Sequence, residues 1–339
     1  MKYTLIKGNY HVVGQSPDAD SIKFRADNPA LWEAIDTENR AAFTQNFTAE
    51  AGVITVRLEG VDALETHYTA PAPTPAPGTN PPAELLKAGS YSQPSSLGRL
   101  SADKFLEFLG ITGVKWRTFG KSVYVAEATV NGAVVKTKLA DPLPGYIVTG
   151  DIEKNGRPVA WSFKGTTPLA DGTAITRAQL GEMVKGSANH HLIRQGLVYP
   201  FYFMTLPAVA RAELTKAAKA AQQAAAKSPT ATTPNVWRMD QTLTGVTLSS
   251  LRVLTEERAI FPYLFRKLAK HYQQAALRRG LSAVSAANES IPLEGFFNDA
   301  NPHIFVVSEQ DFLRLDDVVE AKGNTIKMRV PPYDVVFLS

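Results

Sequence analysis

No cysteine occurs in this 339-residue chain. Disulfides and thiolate metal sites are therefore excluded, and any bound metal must be held by oxygen or histidine. Histidine is itself sparse, with six residues, which narrows the choice further towards carboxylates and carbonyls. No apolar run approaches the length needed to span a bilayer. The opening Met1-Lys2-Tyr3-Thr4-Leu5-Ile6-Lys7-Gly8 lacks the apolar core of a secretory signal, so the expectation is a soluble cytoplasmic protein. Charge of one sign is also lacking: the formal excess is +4, which permits nucleic-acid binding only if the basic residues cluster. What remains is an ordinary globular composition, 44% hydrophobic and 20% charged, with length for one large or two modest domains.

Period-two patterning places strands at Thr4–Val13, Ser21–Arg25 and Val53–Leu58. Leu97–Leu109 repeats its apolar residues at helix spacing and is stopped by Gly110. Strands resume at Ser122–Val130, turn at Asn131-Gly132 and return over Ala133–Leu139. A further pair, Gly145–Ile152 and Arg157–Phe163, flanks Lys154-Asn155-Gly156. Pro207–Lys227 is an alanine-rich helix, and residues 248–279 form two helices divided near Pro262. Short strands follow at His303–Val307, Thr325–Val330 and Val335–Leu338. The proline-rich Thr69–Pro82 reads as an extended, mobile surface loop, with a lid or partner-binding segment as the alternative.

Two local clusters carry chemistry. Asp18 and Asp20 are two apart at the entrance to a strand, so their carboxylates share a face and repel unless solvated or bridged by a cation. Arg57 lies in an otherwise apolar strand, and Asp62 and Glu65 follow its end. Two readings of Arg57 stand: an internal salt bridge to Asp62 or Glu65, or a fork for phosphate. With Arg157 further along, the set is what phosphodiester hydrolysis needs: oxygen ligands for a hard cation, a base for water and donors for the phosphorane oxygens. The basic run Arg258, Arg266, Lys267, Lys270, His271, Arg278 and Arg279 reads first as the solvated face of an amphipathic helix, and second as a stripe for a nucleic-acid backbone. His190-His191 at a helix start reads as a solvated or cap-bonded pair.

Five separated blocks, in order, resemble the staphylococcal nuclease (thermonuclease) family over roughly residues 4–240. They are Asp18-Ala19-Asp20-Ser21, the run Arg57 to Thr66, Asn155-Gly156-Arg157-Pro158-Val159-Ala160-Trp161, Asn189 to Val198, and Asn235-Val236-Trp237. The resemblance implies an α+β chain with a five-stranded OB-type β-barrel and flanking helices. It would carry insertions, one of them proline-rich at about 67–96, and an additional C-terminal α/β extension over 241–339 that matches nothing. It implies that Asp20 and Asp62, with the main-chain carbonyl of Ala63, hold Ca2+, with Mg2+ or Mn2+ as alternatives. Glu65 would be the base, and Arg57 and Arg157 would clamp the phosphate. Asp18 would support the metal ligands, while Tyr202 and Lys154 would touch substrate. Ala63, Leu64 and Asn155 stand where the family has threonine, proline and tyrosine. The expected activity is hydrolysis of DNA, RNA or both to products with a 5′-hydroxyl and a 3′-phosphate. The competing expectation is an OB-type protein that binds single strands without cutting them. The 241–339 region is expected to recruit substrate, mediate self-association or contact a protein partner, with no membrane role.

Overall fold

A computed structural model describes all residues except Met1, Glu50, Ala51, Lys121, Ala231, Glu257, Asp299 and Ser339. The expected helix break over 228–234 includes Ala231, which lies outside the described residues. The chain divides into two compact units, each assembled from separate segments. The first comprises Met1–Val61, Leu100–Val198 and Thr205–Ala220, and the second Asp62–Arg99, Tyr199–Met204 and Ala221–Ser339. Among the described residues no helix is long and apolar enough to cross a membrane.

The first unit is built on a closed five-stranded barrel. Its strands are β1 (Tyr3–His11), β2 (Ser21–Ala26), β3 (Ile54–Leu58), β4 (Leu143–Ile152) and β5 (Pro158–Lys164). The order is β4-β5-β3-β2-β1, and β1 pairs back to β4 to close the ring. Closure removes the exposed sheet edges. All neighbours are antiparallel except β3 and β5, which run parallel. The interior holds Ile6, Tyr10, Ile22, Phe24, Ile54, Val56 and Ile147, which share one face in the strand registers and are all buried. Tyr10 crosses this core, and its hydroxyl donates to the carbonyls of Tyr146 and Phe163 at 3.0 and 3.1 Å. The ring needs Gly145 beneath it, because a Cβ there would lie 2.2 Å from a ring carbon. The mixed α+β architecture with an OB-type barrel is as the sequence led one to expect.

Between the helix Ser95–Leu109 and β4 the chain forms a three-stranded ribbon, Thr112–Phe119, Ser122–Val130 and Ala133–Val135. Its first strand has no counterpart in the sequence reading.

The second unit centres on the helix Pro262–Arg278, which buries Leu264, Phe265, Leu268, Ala269 and Tyr272. Pro262 opens it, where a missing N–H costs nothing. Strands His303–Val306, Thr325–Met328 and Val335–Phe337 form where period-two patterning placed them. The proline-rich segment is tied to the same helix. The Thr74 N–H donates to Gln274 Oε1 at 3.0 Å, and Gln274 Nε2 returns a bond to the Thr74 carbonyl at 2.8 Å. Gln273 repeats the device on the Gly89 N–H at 3.1 Å and the Lys87 carbonyl at 2.8 Å. Adjacent glutamine amides thus act as surrogate peptides for the proline-rich run, which among the described residues forms strand pairs with itself only through Tyr68–Ala70 and Gly89–Tyr91.

Candidate functional site

In the first unit the barrel brings three distant sequence blocks onto neighbouring strands. Arg57 on β3 stands opposite Ser21 of β2 on one side and Val159 of β5 on the other. The Asp18–Ser21 turn and the Arg157–Pro158 entry to β5 therefore flank Arg57. An Arg57 Nη lies 3.9 Å from Asp20 Oδ2, with both side chains about four-fifths buried or more. The backbone ties this pair down, since the Leu58 N–H donates to the Asp20 carbonyl at 2.8 Å. Asp18 is half-buried and accepts the Ser21 N–H on its carbonyl at 3.3 Å.

Arg157 is oriented by its own turn. Its Nε donates to Glu153 Oε1 at 2.8 Å, and Asn155 Nδ2 donates to the other Glu153 oxygen at 2.9 Å. Gly156 makes that turn possible with φ of +76°, and a Cβ at this position would lie 2.5 Å from the Ala42 carbonyl carbon. Lys154 is exposed in the same turn.

Two groups at this end of the barrel have roles that the sequence reading did not assign. Asn189 is fully buried and knots three strand-end groups together. Its Nδ2 donates to the Glu59 and Ala160 carbonyls at 2.8 and 3.0 Å, and its Oδ1 accepts the Ser162 N–H at 3.1 Å. That side chain fixes how β3 leaves the barrel beside β5, and so where Arg57 sits. Glu59 is a buried carboxyl whose pKa is pushed up to about 7, by burial first and then by Asp151, with Arg57 opposing. Asp151 is raised as well, chiefly by burial.

Asp62, Ala63 and Glu65 belong to the second unit, where an unexpected partner meets them. Arg266, from the helix Pro262–Arg278, donates to both oxygens of Asp62 at 2.9 Å each and to Glu65 Oε1 at 2.6 Å. Asp62 is wholly buried, and the Arg266 side chain is 22% exposed. Phe201 and Tyr263 place their rings 5.9 and 6.0 Å from the guanidinium carbon. Burial works against the charge on Arg266, but Asp62 and Glu65 outweigh it and raise its pKa above the usual arginine value. Gln93 holds the Glu65 backbone from both sides, accepting its N–H at 3.2 Å and donating to its carbonyl at 2.7 Å. Ala63 and Leu64 are buried. The internal salt bridge weighed for Arg57 thus exists at these acids with a different arginine, one that the helix pattern placed on a solvated face.

Tyr202, expected near substrate, lies in a short strand beside Val336 and is fully buried. His190 is cap-bonded, its N–H donating to Ser187 Oγ at 3.2 Å, and His191 is half-buried. His190 is buried near Glu213, and His191 stacks on Phe108 with ring centroids 4.4 Å apart. Burial lowers the pKa of both.

A hard cation on Asp62 does not fit this arrangement, because a guanidinium already takes both of its oxygens. Among the described residues no group of three or more histidine, aspartate or glutamate side chains could hold a metal ion. Comparison with protein-family models gives no match, and neither does comparison with curated proteins.

Proposed function

We propose that this chain acts on nucleic-acid phosphodiesters, in the manner its resemblance to the staphylococcal nuclease family implies. The observation that supports this best is the register Ser21–Arg57–Val159, which gathers three blocks of that resemblance around one arginine. Arg57 and Arg157 are the phosphate-binding groups, since a planar guanidinium offers paired donors to the equatorial oxygens. Glu65 is the base that takes a proton from the attacking water. It does so only when its Oε1 is released by Arg266.

A second reading, binding of single strands without cleavage, is favoured by one observation: Arg266 holds Asp62 and Glu65 together. End-labelled single-stranded DNA and RNA, incubated with Ca2+, Mg2+, Mn2+ or chelator, separate the two. Cleavage that Glu65→Gln lowers by orders of magnitude supports hydrolysis. Intact substrate under every metal, with binding retained in chelator, would establish the second reading and sink the first.

A further inference from the structure

The ribbon over Thr112–Val135 has no part in the site described above. We infer that it is a docking arm for single-stranded nucleic acid; only the identity of its ligand rests on the phosphodiester reading.

Charge is the first ground. Residues 112–138 contain Lys115, Arg117, Lys121, Lys136 and Lys138 against Glu127 alone, an excess equal to the +4 of the whole chain. This excess gives the segment a local positive field. Glu127 is engaged by two of these lysines, Lys115 at 2.7 Å and Lys136 at 3.3 Å. Among the described residues no acid pairs with Arg117, which is exposed.

Shape is the second. The strand Thr112–Phe119 is exposed along nearly its whole length and, among the described residues, has a neighbouring strand on one side only. Arg117 and Phe119 share a face, opposite Tyr124 and Ser122 of the middle strand. Phe119 is 81% exposed, which leaves its ring face open to a stacking partner. A cationic strand with an aromatic at its tip is the pairing that single strands need, phosphate on the guanidinium and a base on the ring. The inner face is anchored: Val125 is buried, and Trp116 Nε1 donates to Asp103 Oδ1 at 2.8 Å.

The third ground is attachment. The Gly14 N–H donates to the Val125 carbonyl at 2.8 Å, and the Val125 N–H donates to the Gln15 carbonyl at 2.8 Å. Just past the ribbon, the Asp141 carboxylate accepts the Val12 and Val13 N–H groups at 2.6 and 2.7 Å and meets His11 Nδ1 at 3.1 Å. Burial alone would raise the Asp141 pKa, but these bonds hold it below the usual range. The ribbon is thereby fastened to the segment that runs on through Asp18 and Asp20 into β2 beside Arg57.

The test is fluorescence anisotropy of a labelled single-stranded oligonucleotide in chelator, with no cleavage involved. Phe119→Ala is expected to weaken binding about 5- to 50-fold, in line with the loss of one stacked base. Arg117→Glu is expected to weaken it at least about 10-fold and to flatten its salt dependence. Both sites are exposed, so thermal melts should match wild type. Affinities within about twofold of wild type for both variants overturn the inference. So does a variant that loses binding to phosphatidylserine vesicles but keeps the oligonucleotide. Ribbon-dependent binding without cleavage counts against hydrolysis alone; cleavage with ribbon-independent binding counts against the arm alone.

Discussion

Arg266 forks across Asp62, one nitrogen to each carboxylate oxygen at 2.9 Å. Because Asp62 is fully buried, this ion pair is an interior one, and interior pairs are far more costly to break than to replace. Arg266→Ala should destabilise the protein by about 3–5 kcal/mol in urea denaturation. Combining Arg266→Gln with Asp62→Asn should recover a good part of that loss. A single-variant loss below about 1 kcal/mol would mean that the pair behaves as a surface contact.

Glu59 makes a pH dependence of definite sign. Its folded pKa of about 7 lies above the ordinary 4.5, so the folded chain keeps a proton that the unfolded chain has lost. The Glu59 contribution is fully present below the unfolded value and is lost as pH rises through the folded one. Wild type should therefore lose up to about 2–3 kcal/mol relative to Glu59→Gln between acid and neutral pH. Paired denaturation curves at pH 5 and pH 8 check this, and parallel behaviour of the two proteins would refute it.

Asn189 should be intolerant of change in a graded way. Asn189→Ala removes three buried hydrogen bonds and is expected to cost about 2–4 kcal/mol. Asn189→Asp keeps an acceptor for the Ser162 N–H but turns a second oxygen onto the Glu59 and Ala160 carbonyls, so it should be the worse of the two. The order of their urea midpoints decides the matter.

Gly156→Ala combines a left-handed backbone with a close approach to Ala42. A loss of about 1–3 kcal/mol is expected, with a matching fall in melting temperature. A thermal midpoint unchanged from wild type would show that the Lys154–Arg157 turn can re-form another way.

The strands of the barrel were legible because they carry period-two patterns and their turns carry glycine; that they close into a ring was an expectation the resemblance supplied. The register that sets Arg57 between Ser21 and Val159 was not read from the sequence. Two other things were not legible. Thr112–Phe119 went unread although Val114-Lys115-Trp116-Arg117 alternates apolar and polar residues, because the alternating run is short and the strand buries little. Arg266 looked like any basic residue on an amphipathic helix. Nothing in local spacing reveals that it serves acids 204 and 201 residues earlier. Asn189 was singled out as part of a motif, but its role in joining strand ends depends on contacts that only the closed barrel creates.

The separation between Asp62 and Arg266 has a consequence in time. A ribosome adding about 5–20 residues per second delivers Arg266 some 10–40 s after Asp62. During that interval the proline-rich segment has neither Gln273 nor Gln274 to grip it. Asp62–Arg99 therefore completes its structure only after most of the chain has been made, and a nascent chain stalled before residue 262 should be cut by protease within that segment.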